Sequence, residues 1–333
     1  MIPSMIPPTL DDVYRARRRL ESQLRRTPLM RHPLLADETG LEIHVKHENH
    51  NPTGAFKVRG GLNLVASLSA DERARGVISA STGNHGQSIA FASQRIGVPC
   101  TIAVPRGNNP DKNAAIRAFG ATVVEHGKDF DDAREWVEHE AEARGLRYVH
   151  SANEPLLISG VGTYAIEIFE DLPDPDVIFV PIGGGSGACG CCIARTGLAK
   201  RTRVIGVQAE EADAFARSWR GPQRVSMERI GTFAEGLATR YTFDLTFDIL
   251  KRELDDIVTL TEAELEEGVR TALRATHNLA EGAGGASLAA AVKLRDQLQG
   301  KKIVCVMSGG NMNLDVLRRI LANPTSPVLK TML

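Results

Sequence analysis

The apolar positions of the chain alternate between short continuous runs and longer segments with helical spacing. Apolar runs predict strands at or near Ile43–Lys46, Gly76–Ala80, Cys100–Val104, Thr122–Val124, Arg147–His150, Val177–Ile182, Arg203–Val207, Ile257–Leu260 and Ile303–Met307. Helical patterns include those at Leu10–Arg26, Asp111–Phe119 and Asp129–Ala143. This alternation predicts an α/β fold with open, mostly parallel sheets and covering helices.

Composition and charge narrow the function classes. The 333 residues, 42% of them hydrophobic, are enough for two compact domains. The formal net charge of −1, with both signs mixed throughout, predicts no nucleic-acid or membrane partner. There is no apolar run of about 18 residues that would span a membrane. The segment Met1–Pro8 lacks the basic and apolar regions of a secretory signal, so we expect a cytoplasmic protein.

Lys57 stands in an unusual setting for a lysine. The turn-forming segment Asn51–Gly54 leads into the Phe56-Lys57 pair, and the small residues Gly60 and Gly61 follow. This setting suits an amine held partly out of water, where its pKa falls and it can act as a nucleophile. Since most lysines are solvated surface charges, this interpretation needs support from other motifs.

Three small-residue turns follow strand-like runs and supply that support. They are Ser81-Thr82-Gly83-Asn84-His85-Gly86, Gly183-Gly184-Gly185-Ser186-Gly187 and Ser308-Gly309-Gly310-Asn311. A strand, a small-residue turn and a helix together aim backbone N–H groups at an anion. The glycine run matches neither a dinucleotide fingerprint, because residue 188 is alanine, nor a Walker A loop, because no Gly-Lys-Ser/Thr follows. A phosphate-binding loop combined with one unusual lysine fits pyridoxal phosphate, which carries an aldehyde and a monophosphate.

With these four motifs in this order, the chain resembles the fold-type II pyridoxal-phosphate enzymes (tryptophan synthase β-like), in the group of threonine/serine dehydratases and serine racemases. The resemblance runs from about residue 10 to about residue 322. It implies two domains, a large cofactor-binding domain of residues 1–51 and 153–333 and a small domain of residues 52–152 inserted in it. The cofactor is then expected in the cleft between them, and a homodimer is expected.

The resemblance also implies roles for individual residues. The expected cofactor-binding residues are Phe56, Lys57, Asn84, Gly183, Gly184, Gly185, Ser186, Gly187 and Ser308. The expected substrate-binding residues, which would hold the amino-acid carboxylate, are Ser81, Thr82, Asn84 and His85. Lys57 would form the Schiff base and serve as the catalytic base, and the hydroxyl of Thr82 is the second catalytic candidate.

The residue type at position 308 bears on the reaction. A serine hydroxyl is too weak an acid or base to hold a full positive charge on the pyridine nitrogen, so we expect a weaker electron sink that favours loss of a β-substituent. The predicted activity is therefore that of a lyase, a threonine or serine ammonia-lyase (dehydratase) that removes water from a 3-hydroxy amino acid to give a 2-oxo acid and ammonia. The small-molecule substrate would be L-threonine, L-serine or a close analogue.

Three alternatives stay open. Racemisation is one, because Thr82 keeps a hydroxyl where racemases of this family carry serine. Dehydration of 3-hydroxyaspartate is another; its acidic side chain would need an additional cation, for which the candidates are His50, Arg106, Lys112 and Arg134. A phosphate-binding module without catalysis is the third, and the intact Lys57 argues against it.

Metal sites are the weaker interpretation at two places. Some relatives bind a divalent cation after a Gly-Val-Glu strand, but Gln208 and Ala214 stand at the expected ligand positions, which leaves Glu210 and Asp213 as weak candidates. The cluster Cys189, Cys191 and Cys192 fits small residues at the start of a buried helix better than a metal site. The chain ends at Leu333 without room for the regulatory domain of biosynthetic relatives, so we expect a catabolic or specialised enzyme.

Overall fold

We describe residues 5–322 of the protein from a computed structural model. Residues 1–4, on which the predicted absence of a secretory signal partly rests, lie outside this range. The described chain divides into two compact units. Unit 1 comprises the residues up to Arg25 and Asn51–Thr163, and unit 2 comprises Arg26–His50 and the residues from Tyr164 onward.

Strands and helices alternate along the chain. The strands are β1 (Leu29–Arg31), β2 (Glu42–His47), β3 (Val77–Ala80), β4 (Cys100–Val104), β5 (Thr122–Glu125), β6 (Arg147–Tyr148), β7 (Val177–Pro181), β8 (Arg203–Ala209), β9 (Asp256–Leu260) and β10 (Lys302–Met307). The helices are α1 (Leu10–Leu20), α2 (Pro33–Thr39), α3 (Lys57–Ala66), α4 (Ala70–Arg75), α5 (Asn84–Ile96), α6 (Pro110–Ala118), α7 (Phe130–Arg144), α8 (Pro155–Asp171), α9 (Ser186–Gly197), α10 (Ala214–Arg220), α11 (Asp244–Glu253), α12 (Glu262–Thr276), α13 (Gly282–Lys293) and α14 (Leu314–Ala322). No helix within residues 5–322 is long and apolar enough to cross a membrane.

Unit 1 is built on a four-stranded sheet in the order β5-β4-β3-β6, with all strands parallel. Every residue of β3 is buried, which explains why the strand appears in the sequence as an uninterrupted apolar run. Helix α5 packs against α3 and β4, and its Ile89 lies in the core with Ile102 of β4. The turn Ser81–Gly83 lies at the carboxyl end of β3, where ligands bind in sheets of this kind.

Unit 2 contains a six-stranded sheet in the order β1-β2-β10-β7-β8-β9. The edge strand β1 is antiparallel to β2, and the other pairs are parallel. Because β10 and β7 are parallel neighbours, the glycine loop after β7 and the Ser308 loop after β10 leave the same end of the sheet side by side. Two of the predicted small-residue turns are therefore brought together within this unit.

Among the differences from the predicted elements, three have an identifiable local cause. Helix α1 ends at Leu20 rather than Arg26, and the chain turns towards Thr27, whose backbone is kept out of the helical region by Pro28. Strand β6 ends at Tyr148, because Nδ1 of His150 accepts the N–H groups of Ala152 and Asn153 and closes a turn there. The edge strand β1 was not predicted, since its three residues are half-buried or exposed and carry no apolar run.

The two units also differ in extent from the expected domains. Helix α1 belongs to unit 1, because its Leu20 packs in the same core as Val58 and Leu62 of α3. The limit after residue 152 lies instead at Thr163, inside the continuous helix α8. The division into an inserted small domain and a large domain stays a prediction.

Candidate active site

Lys57 is the first residue of α3. Its Nζ donates a 3.4 Å hydrogen bond to the carbonyl of Ser151 and lies 5.4 Å from the centre of the Phe56 ring. The preceding turn depends on Gly54, whose φ of +67° is a conformation that glycine adopts without strain. The local sequence thus holds a half-buried amine at a helix start, next to an aromatic ring.

Helix α5 holds the backbone of Lys57 in place. The hydroxyl of Ser88 donates a 2.6 Å hydrogen bond to the carbonyl of Lys57. A side chain at Gly61 would overlap Ser88, with its Cβ 2.7 Å from the Ser88 carbonyl oxygen. The missing side chain therefore lets α3 and α5 approach closely enough for this bond to form.

Ser81 stabilises the turn between β3 and α5. Its hydroxyl oxygen accepts hydrogen bonds from the N–H groups of Gly86 (2.8 Å) and Gly83 (3.2 Å). The next residues, Thr82 to Asn84, are half-buried, and the carbonyl of Thr82 accepts a 3.4 Å hydrogen bond from Nδ2 of Asn108. The Ser81 hydroxyl is thus used to shape the loop, while the residues after it remain within reach of a ligand.

The His85 imidazole points into the sheet. Its Nε2 lies 2.9 Å from the hydroxyl of Ser79, which donates to the carbonyl of Val149. Because the Ser79 hydrogen is used there, Nε2 carries the hydrogen and donates to Ser79, and the buried Nδ1 has no hydrogen-bond partner among the described residues. Burial, with a smaller effect of the nearby Lys57 charge, lowers the pKa of His85 to about 3. His85 is therefore neutral, and what it can offer a carboxylate is its backbone N–H in the first turn of α5.

The glycine loop leads into α9 in a conformation that excludes side chains. A Cβ at Gly183 would overlap the carbonyl oxygen of Gly236, and Gly185 has a φ of +89° with Thr246 directly against it. The helical hydrogen bonds begin with the N–H of Cys189, which bonds to the carbonyl of Gly185. The backbone N–H groups before it have no acceptor within the helix.

These features of the glycine loop fit a phosphate monoester. The donors are neutral backbone amides at the N-terminus of a 12-residue helix, whose dipole favours an anion. The buried hydroxyl of Ser186 lies in the same turn. The residues present thus suit the phosphate group of the predicted cofactor.

Ser308 lies directly after β10 and is almost fully buried, with 4% of its surface exposed. The backbone after it is closely packed: the carbonyl of Gly309 accepts the N–H of Glu281, and a side chain at Gly284 would overlap that carbonyl. A neutral hydroxyl in this rigid position suits a hydrogen bond to an uncharged ring nitrogen.

The weak metal candidates do not converge. Glu210 lies 3.9 Å from Lys293, and Asp213 lies 4.0 Å from Arg217. Gln208 is fully buried; its Nε2 donates to the carbonyls of Ile182 and Ala212, and its Oε1 accepts the N–H of Ala216. Within residues 5–322, no group of three or more His, Cys, Asp or Glu side chains is arranged to hold a metal ion.

The cysteine cluster after the glycine loop is part of the core. Cys189, Cys191 and Cys192 are fully buried in α9. The thiol of Cys189 donates to the carbonyl of Thr246, and burial raises the pKa of the Cys191 thiol to about 12. The Cys191 thiol therefore stays protonated, and all three side chains pack in the core.

The cations considered for an acidic substrate are distributed unevenly. Lys112 of α6 lies beside the turn after β3, with its Nζ 3.9 Å from the position a Cβ would take at Gly83. Arg134 pairs with Glu138 at 2.8 Å, and His50 of unit 2 lies 2.6 Å from Oδ1 of Asn278. The fourth candidate, Arg106, is exposed in the turn after β4. Among the residues with a described side-chain contact, Lys112 is the one placed at the predicted substrate loop.

One residue near the phosphate loop was missed by the sequence analysis. Tyr164 of α8 is fully buried, and its hydroxyl bonds to the carbonyl of Gly187. The available signal was a tyrosine directly after a run of small and aliphatic residues in this helix, because a buried phenol needs a hydrogen-bond partner.

Comparisons with known proteins give the family and the fold that the chain is similar to. The family described as "Pyridoxal-phosphate dependent enzyme" matches residues 20–309. The L-threonine ammonia-lyase of Thermotoga maritima is 39% identical over 94% of this chain and 78% of its own length. The L-threo-3-hydroxyaspartate ammonia-lyase of Saccharomyces cerevisiae is 32% identical over 93% of this chain and 95% of its own. The structure of maize serine racemase has a TM-score of 0.89 at 25% identity, covering 95% of this chain and 97% of that one. The predicted fold class is confirmed.

Proposed function

Because the chain belongs to the family of pyridoxal-phosphate dependent enzymes, we propose that it is an ammonia-lyase that removes water from a 3-hydroxy amino acid. The substrate would be L-threonine, L-serine or a close analogue, and the products a 2-oxo acid and ammonia. The observation that carries the proposal is the placement of the Lys57 amine: Ser88 of α5 bonds to the Lys57 backbone, and Nζ donates to the carbonyl of Ser151. The similarity to L-threonine ammonia-lyase supports it.

Several of the sequence motifs would supply the residues that hold the cofactor. Lys57 would bind its aldehyde, with Phe56 beside it, and the loop Gly183–Gly187 would hold its phosphate. Asn84 would bond to the phenolic oxygen and Ser308 to the ring nitrogen. When bound, pyridoxal phosphate supplies the electron sink that allows the α-proton to be removed and the β-substituent to leave.

The chain's own groups would carry the proton and bind the substrate. Nζ of Lys57 is the group that would accept the proton from the substrate α-carbon. The backbone N–H groups of Thr82, Asn84 and His85, just before and at the start of α5, would bind the substrate carboxylate. Ser308 offers a neutral hydroxyl, which keeps the ring nitrogen uncharged and so favours elimination over chemistry that needs a stronger sink.

A panel of 3-hydroxy amino acids tests the proposal. We expect the purified holoenzyme to release ammonia and a 2-oxo acid from L-threonine or L-serine, and Lys57→Ala to lose both this activity and the visible absorbance band. If neither product forms while the amino acid is racemised, the proposed elimination is wrong and the predicted racemase activity, with Thr82 as its second catalytic residue, takes its place.

A second candidate substrate is 3-hydroxyaspartate, and the position of Lys112 favours it. Its ammonium group beside Gly83 could pair with a substrate side-chain carboxylate. We expect Lys112→Met to raise KM for 3-hydroxyaspartate about tenfold or more while KM for threonine changes less than about twofold. Equal changes for both substrates would remove this candidate.

The resemblance further implies a homodimer, a cytoplasmic location and a serine dehydratase activity, and we include these in the proposal. Sedimentation of the purified holoenzyme tests the first of them. A monomer at micromolar concentration would exclude the homodimer.

A further inference from the structure

A chain of three buried groups ends at the phosphate loop. The thiol of Cys191 donates a 3.3 Å hydrogen bond to the hydroxyl of Tyr164, and that hydroxyl donates a 2.9 Å hydrogen bond to the carbonyl of Gly187. Both side chains are fully buried in unit 2. Since the Cys191 thiol stays protonated, it remains a donor, which leaves the Tyr164 hydrogen directed at Gly187.

The Gly187 carbonyl belongs to the first turn of α9. As an oxygen with two lone pairs, it can accept the N–H of Cys191 along the helix and the Tyr164 hydroxyl at the same time. The same peptide unit carries the N–H of Ala188, one of the N–H groups without an acceptor within the helix. A donor on the carbonyl polarises the peptide and makes this N–H a stronger donor to an anion.

The hydroxyl also fixes the direction of the helix start. Glycine at position 187 gives the backbone no side chain of its own to hold it, and Gly236 and Thr246 leave no room for a side chain at Gly183 and Gly185. The contact with Tyr164 therefore restrains the turn from the side of α8.

We propose that Tyr164 is a positioning residue for the cofactor phosphate: through the Gly187 carbonyl it orients and polarises the backbone amides that bind the anion. This inference rests on the proposed assignment of the phosphate to Gly183–Gly187. The positioning role of Tyr164 concerns cofactor binding and not turnover. It can therefore be disproved while the proposed lyase activity stands, and the lyase activity can be disproved while the positioning role stands.

The test compares pyridoxal phosphate with pyridoxal, which has the same aldehyde and ring but no phosphate. Cofactor-free full-length protein is titrated with each compound, and the visible absorbance reports binding. We expect Tyr164→Phe to weaken binding of pyridoxal phosphate about five- to tenfold and to change the affinity for pyridoxal less than about twofold. The phosphorus NMR resonance of the bound cofactor should shift in the variant.

Thr202→Val is the matched control, because it removes a buried hydroxyl that donates 2.7 Å to the carbonyl of Pro175, also in unit 2 but outside the phosphate loop. It should leave both affinities and the phosphorus resonance unchanged. Equal weakening of both ligands in Tyr164→Phe, no weakening at all, or the same selective loss in Thr202→Val would overturn the proposal.

Cys191→Ala provides a second variant that keeps the phenol and removes its donor. We expect a selective loss for pyridoxal phosphate of about twofold, smaller than for Tyr164→Phe, because the hydroxyl remains but is less polarised. If Tyr164→Phe does not fold, this variant decides: a selective loss supports the positioning role, and an equal or absent change overturns it.

Discussion

The hydroxyl of Ser88 donates a 2.6 Å hydrogen bond to the backbone carbonyl of Lys57, and Gly61 provides the space in which this bond forms. The residue that carries the predicted chemistry is thus held from a neighbouring helix at its backbone. Its side chain bonds separately to the carbonyl of Ser151. The position of the amine depends on how closely α3 and α5 pack.

Gly61→Ala tests this packing. Relative to glycine, alanine favours the helical conformation by about 1 kcal/mol. However, its Cβ would lie 2.7 Å from the backbone carbonyl oxygen of Ser88, which cannot rotate away. Overpacking of this kind costs about 1–3 kcal/mol, so we expect a net loss of stability and a lower kcat. Urea unfolding and initial rates measure the two effects.

Ser88→Ala serves as the control, since it removes the hydrogen bond without adding an atom and should cost about 1 kcal/mol. The double variant should not recover wild-type stability, because the backbone carbonyl remains in the way. A Gly61→Ala protein more stable than the wild type would show that the helices are not in close contact.

Gly185→Ala tests the phosphate loop. Its φ of +89° and its contacts with Thr246 and Leu250 both oppose a side chain, so we expect the loop to move and the affinity for pyridoxal phosphate to fall about tenfold or more. Gly300→Ala is the matched control, because it has a φ of +72° and nothing within 4 Å. Spectroscopic titration of both variants with pyridoxal phosphate should separate the effect of backbone strain in general from a change in the glycine loop. Equal affinities of the two variants for pyridoxal phosphate would contradict the assignment of the phosphate to this loop.

The buried His85 makes stability depend on pH. Its pKa is lowered from an ordinary value of 6.5 to about 3, mainly by burial. Between pH 6.5 and 3 the unfolded chain therefore binds a proton that the folded chain does not, so the free energy of unfolding falls as the pH falls. The contribution reaches about 1.4 kcal/mol per pH unit inside this window. His47, with a pKa lowered to about 4, adds a second term of the same sign.

Denaturant unfolding at several pH values between 7 and 5 measures this slope. We expect His85→Asn to reduce the slope of the free energy of unfolding against pH by an amount that corresponds to at most one bound proton. His139→Asn should leave the slope unchanged, since that side chain is 78% exposed. An unchanged slope in His85→Asn would mean that the imidazole is not held neutral in the folded protein.

Gln208→Glu tests the buried amide between the glycine loop and α10. A carboxylate there would face the carbonyl oxygens of Ile182 and Ala212 instead of donating to them, and an uncompensated buried charge costs about 3–5 kcal/mol. We expect a large fall in Tm, which thermal unfolding measures. Gln223→Glu, the same change at an exposed position, should have little effect. Equal Tm values for the two variants would contradict this role.

Metal removal should have no effect on the wild-type protein. A neutral amide, Gln208, stands where a carboxylate ligand would be expected and donates to the carbonyl of Ala212, while Glu210 lies near Lys293 and Asp213 near Arg217. We expect activity and Tm to be unchanged after dialysis against EDTA. Loss of activity that added Mg²⁺ or Ca²⁺ restores would establish a cation requirement.

Most strands of the two sheets could be predicted from the sequence, because most of them are largely buried and appear as apolar runs. The predicted strand Cys100–Val104 has the bounds of β4, and the residues of β3 and β10 are nearly all buried. Prediction failed where local hydrogen bonds or an edge position decided the structure. The early end of β6 depends on the His150 imidazole, and β1 is an edge strand without an apolar pattern.

In the candidate active site, too, some features could be predicted from the local sequence and others could not. The lysine, the glycine loop and the two serine loops are recognisable because turns and helix starts require particular residue types in order along the chain. The direction of each side chain is not encoded in this way: His85 faces Ser79 rather than the loop surface, and Ser81 bonds to its own turn.

The sequence by itself determined the alternation of strands and helices, the places where the chain turns tightly, and the residue types available for an aldehyde and a phosphate. These properties follow from local rules of burial, backbone conformation and chemistry. Only the tertiary structure decided that Ser88 holds Lys57, that Tyr164 bonds to Gly187, and that Gln208 joins three backbone segments. Each of these contacts joins residues from different elements, and their distance and direction depend on how those elements pack, which no local pattern specifies.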